Sequence, residues 1–216
     1  MRLVLAIVAL ALLSGCNVVM TKDPLFTKAD EAGAAPMRPG VWDTEPAPDC
    51  KVDESKPLTE WPSCASGFVV RGDGTAGSYK MQDGKPVWQS APFIVAAGDP
   101  LVFQAQMTGS LGDAAMPPVY VYAAVKPTKL DDQGRIVASV SWPVLCGPQP
   151  PKDAKGADGN QRSGTLHPFA GLTMDASAND CTTTSQDAVR GAAGASRKFT
   201  AASDISSSHW VRDGDK

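Results

Sequence analysis

His167 and His209 are the only imidazoles in this 216-residue chain, so any histidine-assisted hydrolysis has to use one of them. A catalytic triad needs that ring within hydrogen-bond reach of a carboxylate and a nucleophile. His167 stands before a proline and His209 before a tryptophan close to the terminus, settings that read as surface or interface positions. Asp131-Asp132 would suit paired acid–base work, yet it stands before Gln133-Gly134 and reads as a solvated hairpin turn. Arg71-Gly72-Asp73 spells an adhesion tripeptide and also falls where a turn is expected. No nucleophile elbow, phosphate loop, dinucleotide glycine fingerprint or His-x-x-x-His pair occurs. The expectation is a protein that is not an enzyme, with no catalytic residue, no cofactor and no metal site.

Binding offers more. Tyr120 and Tyr122 share one face of one alternating run, and with Trp88 and Trp142 they form the chain's best candidate for a ligand or partner surface. The competing reading is cross-strand aromatic packing in the core.

The N-terminus supplies an address. Arg2 precedes an apolar run from Leu3 to Leu13, about eleven residues, which suits the hydrophobic region of a secretory signal and is too short to span a bilayer. Leu13-Ser14-Gly15-Cys16 resembles the lipobox of bacterial lipoproteins. That resemblance implies that residues 1–15 are a signal peptide and that Cys16 becomes the first mature residue, carrying a diacylglyceryl thioether and an acylated amine. At about 0.8 kcal/mol per buried methylene, two or three such chains hold a protein on a membrane indefinitely. Asn17, where an aspartate would favour the inner membrane, implies the periplasmic face of the outer membrane of a bacterial envelope. The body beyond the lipobox resembles that of uncharacterised bacterial lipoproteins.

Of 20 basic residues the signal segment holds Arg2, which leaves 19 against 23 acidic ones. A weakly acidic body has no electrostatic attraction for nucleic acid or for anionic lipid. With Cys16 reserved for lipid, Cys50, Cys64, Cys146 and Cys181 make an even set in an oxidising compartment. Of three possible pairings, Cys50–Cys64 and Cys146–Cys181 close single loops that do not cross. In the chain-entropy model they stabilise by about 3 and nearly 4 kcal/mol. A structural metal site would need closer cysteines or a nearby histidine.

The elements that must position these groups are mostly strands. Residues 16–39 read as a flexible tether with a short helical turn over 29–35. Residues 40–216 read as one β-rich domain, with Trp42 as a core plug. Leu101, Phe103, Ala105 and Met107 alternate with Gln104 and Gln106, and Phe93–Ala96 pairs with them as a hairpin. Val119, Val121, Ala123 and Val125 alternate with Tyr120 and Tyr122, and form a second hairpin with the run over 136–142. There Ile136, Ala138, Val140 and Trp142 share one face while Val137, Ser139 and Ser141 share the other. Asp83-Gly84 marks a third hairpin. Six to eight short strands predict an antiparallel sandwich or small barrel. Residues 147–164 read as a mobile loop. Residues 184–199 read as a helix capped by Thr184-x-x-Asp187, lying over a barrel mouth or an open edge.

Two function classes follow. One is a lipid-anchored structural or interaction module of the envelope, meeting another protein or the cell wall. The other is a lipocalin-like binder of a small apolar or amphipathic ligand. Behind both stand a hydrolase and an inhibitor of a cell-wall hydrolase, since Ala65-Ser66-Gly67 resembles the serine-glycine segment of lysozyme-inhibitor lipoproteins.

Overall fold

The computed structural model describes residues 17–45, 49–82, 85–111, 114–151, 153–155, 159, 164–175 and 179–214, with the backbone alone at 108–111 and 114–116. The lipobox, the Asp83-Gly84 turn, and residues 152, 156–158 and 160–163 of the loop read as mobile lie outside the described residues.

A two-residue strand, β1 (Met20–Thr21), precedes a seven-strand antiparallel meander. The meander comprises β2 (Gly40–Thr44), β3 (Phe68–Val70), β4 (Thr75–Gln82), β5 (Lys85–Ala96), β6 (Leu101–Leu111), β7 (Ala114–Leu130) and β8 (Ile136–Pro143). β9 (Thr173–Met174) and β10 (Cys181–Thr182) pair in a separate ribbon, and helix α1 (Gln186–Ser196) follows. β11 (Ser206–Arg212) then inserts between β8 and β2, antiparallel to both, and closes an eight-stranded barrel. Closure removes the unpaired strand edges that an open sheet exposes. Gly40 sits at this seam with φ 130°, and the Arg212 carbonyl occupies the space that a β-carbon would need. Both disulfides, Cys50–Cys64 and Cys146–Cys181, are present.

The pleat separates two cores. Inside, all eight barrel strands contribute to one cluster that includes Trp42, Phe68, Ala76, Val95, Phe103, Val125, Ile136 and Trp210. Trp42 stacks on Phe68 at 6.0 Å between ring centroids, and Phe93 on Phe103 at 5.3 Å. The opposite face of β6, β7 and β8 bears the cross-strand row Val102, Ala124 and Trp142. This row belongs to a second cluster outside the barrel wall, completed by Val19, Phe26, Val189 and Ala192.

α1 therefore lies on the outer wall of the closed barrel, a departure from the expected cover over a mouth or an open edge. The reason is its buried stripe of Ala188, Val189, Ala192 and Ala193, small enough to approach the Trp142 indole, whose Nε1 donates to the Ala193 carbonyl at 2.9 Å. Its cap is Ser185, whose side chain accepts from Ala188 N, one residue later than the Thr184 box predicts.

The segment read as a tether differs as well. Asn17 is 1% exposed; its Nδ2 donates to the Gly147 carbonyl, and its Oδ1 accepts from Thr165 N. β1 pairs with β7, and Val18 and Val19 bridge to Leu145 and Cys181. Gln104, on the outer face of β6, accepts from Leu25 N and Phe26 N and donates to the Phe26 carbonyl. The helical turn here is a 3-10 turn, Lys28–Glu31, and Met37 bridges to Ile136. Interspersed apolar residues, Val18, Val19 and Phe26, are enough to seat this strap, although they show no regular period.

Tyr122 lies beneath the strap, its hydroxyl 2.6 Å from that of Thr21. Burial raises its pKa from 10 to about 12, against the opposing pull of the Thr21 hydrogen bond. A tyrosine with a raised folded pKa retains its proton longer when folded, so stability present below pH 10 falls as pH rises toward 12. Tyr122→Phe is expected to flatten this alkaline decline, measured as urea midpoints at successive pH values from 9 upward to about 12.

Candidate functional site

The four aromatic residues of the predicted surface fall in two places. Tyr122 and Trp142 are buried in the outer cluster under the strap and α1, and half-buried Tyr120 packs against the same cluster. Trp88 sits on the β4–β5 hairpin, away from them. β5 pairs with β6 over Phe93–Ala96, whereas its pairing with β4 runs from Lys85 to Pro92, so this hairpin extends past the barrel wall.

The outer face of the hairpin carries the directly opposed pairs Tyr79–Trp88 and Met81–Pro86. Tyr79 packs its edge on Trp88 with ring centroids 5.2 Å apart, and the Arg71 guanidinium lies 4.4 Å over the indole. The backing holds the rings in place while leaving Met81 63% exposed. Arg71-Gly72-Asp73 thus forms a turn whose arginine braces the hairpin and whose aspartate accepts from Thr75 N and Oγ1. Asp131 is likewise a turn residue, tied to Arg135 by a 2.7 Å ion pair that holds its carboxyl below the ordinary value.

A different cluster lies on the seam. His209 on β11 is the cross-strand partner of Asp43 on β2. Their neighbours Trp42, Thr44, Ser208 and Trp210 face the interior, so alternation turns both side chains outward. Glu54 reaches them from the loop closed by Cys50–Cys64, and its Oε1 lies 3.0 Å from His209 Nε2. Arg212 fixes that loop by donating to the Glu54 carbonyl and, at 2.7 Å, to the Lys56 carbonyl. Asp43 is 2% exposed, and its Oδ1 has no hydrogen-bond partner among the described residues. Burial pushes the Asp43 carboxyl above its ordinary value, His209 pulls it down, and Glu54 adds to the rise.

His167 stands apart on an exposed turn, where its backbone N donates to Thr165 Oγ1. Ser208, adjoining His209, directs its hydroxyl inward to Thr44 at 3.2 Å, away from the ring. The arrangement at His209 therefore has two carboxylates for one imidazole, with the Ser208 hydroxyl turned away from it. Sequence reasoning missed the cluster because its members stand at positions 43, 54 and 209, with no motif spacing. The readable trace was the disulfide loop, which had to fold back onto some strand. No protein-family model matches this chain, and no curated protein or solved structure is significantly similar to it.

Proposed function

We propose that the chain is a lipoprotein of the bacterial envelope, held through Cys16 on the periplasmic face of the outer membrane, whose barrel works as a protein-interaction module. The observation that carries the reading is the outer face of the β4–β5 hairpin, where Tyr79, Met81 and Trp88 stand together beside Arg71. Aromatic residues, methionine and arginine are the types enriched at protein interfaces. Rigid aromatic anchors also lose little conformational entropy on binding.

The second reading is a small-ligand binder, since a closed eight-stranded barrel is an architecture compatible with lipocalin-like binding. It is favoured by a row of hydroxyls directed at the interior near one end, from Thr44, Ser139, Ser141, Ser206 and Ser208. These would orient a polar group on an otherwise apolar guest.

A photo-crosslinking side chain at Met81, activated in intact cells, separates the readings. A discrete protein adduct formed from position 81 and absent from a control at exposed Lys129 is the expected result. Recovery of a stoichiometric small molecule with the barrel, with no adduct at 81, would favour the second reading instead. In the same cells Cys16→Ser is expected to abolish labelling by fatty acid and release the protein from the membrane fraction. Persistent membrane association of that variant would overturn the anchor.

A further inference from the structure

We propose that Asp43, Glu54 and His209 bind one divalent transition-metal ion of the zinc class on the outer wall of the barrel, with solvent completing its coordination. One carboxylate oxygen from each acid and one ring nitrogen of His209 lie within 4.8 Å of one another. Metal–ligand bonds of about 2.0–2.2 Å place tetrahedral ligands about 3.3–3.6 Å apart, a contraction within the reach of side-chain rotation. Glu54 and His209, whose side chains are 46% and 40% exposed, have that freedom, while Asp43 is the fixed member.

The second observation is the state of Asp43. A carboxylate that is 2% exposed, keeps a backbone hydrogen bond from Thr44 and still leaves Oδ1 without a partner among the described residues is a group whose solvation has been removed and only partly replaced. Glu54 beside it adds a second negative charge, and one imidazole cannot neutralise both. A dication satisfies the orphaned oxygen and balances the pair. The donor set, one imidazole nitrogen and two carboxylate oxygens without sulfur, fits zinc with three protein ligands and an open position.

The loop carrying Glu54 is positioned for this from several directions. Cys50–Cys64 closes it, Arg212 clamps the Glu54 and Lys56 carbonyls, and Asp53 Oδ1 accepts from Ser55 N and Oγ at its turn. The ion would join three segments, namely this loop, β2 and β11. It would thereby staple the seam at which the C-terminal strand closes the barrel.

The test is isothermal titration of the disulfide-intact protein lacking residues 1–15 with zinc chloride after chelator treatment, together with thermal unfolding. One saturable equivalent and a raised Tm are expected in the parent. Asp43→Asn and Glu54→Gln are each expected to weaken binding by at least about tenfold. Glu54 is exposed, so its variant remains informative even if Asp43→Asn fails to fold. Absence of a saturable equivalent in the parent, or parental affinity in Glu54→Gln, overturns the site.

Discussion

Trp42→Ala is expected to lower the unfolding free energy by about 3–5 kcal/mol. That is a large share of the ~5–15 kcal/mol that holds a typical domain together. The indole is fully buried, stacks on Phe68, and donates from Nε1 to the Arg38 carbonyl at 2.9 Å. It also stands directly opposite Trp210 on the closing strand, so truncation opens a void at the seam and removes the indole donor from the Arg38 carbonyl. Urea unfolding followed by far-UV circular dichroism reads the loss. A change below about 1 kcal/mol, the scale of an ordinary substitution, would mean that the interior is not built around this ring.

The second large effect belongs to the Cys146–Cys181 bond. Replacing both cysteines by alanine removes a cross-link between residues 35 apart, a loop worth up to nearly 4 kcal/mol in the chain-entropy model. The loss should be distributed unevenly. Cys146 follows the last meander strand, while Cys181 bridges to Val19 and leads into α1. The bond therefore fastens the outer layer to the wall. Hydrogen exchange is expected to accelerate most in residues 17–26 and 186–196, and least in β6 and β7. Uniform acceleration over barrel and outer layer alike would show that the two cores unfold as one unit and would remove the distinction drawn between them.

Much of the barrel was legible because strand alternation and turn residues are local properties. Phe93–Ala96, 101–107, 119–125 and 136–142 all lie in the strands predicted for them. What alternation could not reveal is which face of a strand looks inward. On β8 the set containing Trp142 was the apolar one, yet Ser139 and Ser141 pair into rows facing the interior, and Trp142 looks outward beneath α1. Both faces are covered, so hydrophobicity no longer distinguishes them. Tyr122 illustrates the same ambiguity, since an outward residue becomes buried when a strap and a helix cover the wall. The strap itself was illegible because its few apolar anchors follow no period. The Asp43–Glu54–His209 cluster was illegible because it is assembled by closure of the ring, a long-range event with no local signature.

The burial of Asn17 has a consequence for scale. If Cys16 carries lipid, the residue immediately after the anchor is already part of the outer layer packed on the barrel's wall. A free spacer of some twenty residues would let the domain roam over about 25 Å from its lipid. Here the leash has almost no length. The molecule would ride against the bilayer as a fixture, able to diffuse laterally but not to reach outward, with its hairpin presented at a nearly constant height. Partners confined to the same surface would then meet it at high effective concentration, and those requiring an extended arm would be excluded by geometry alone.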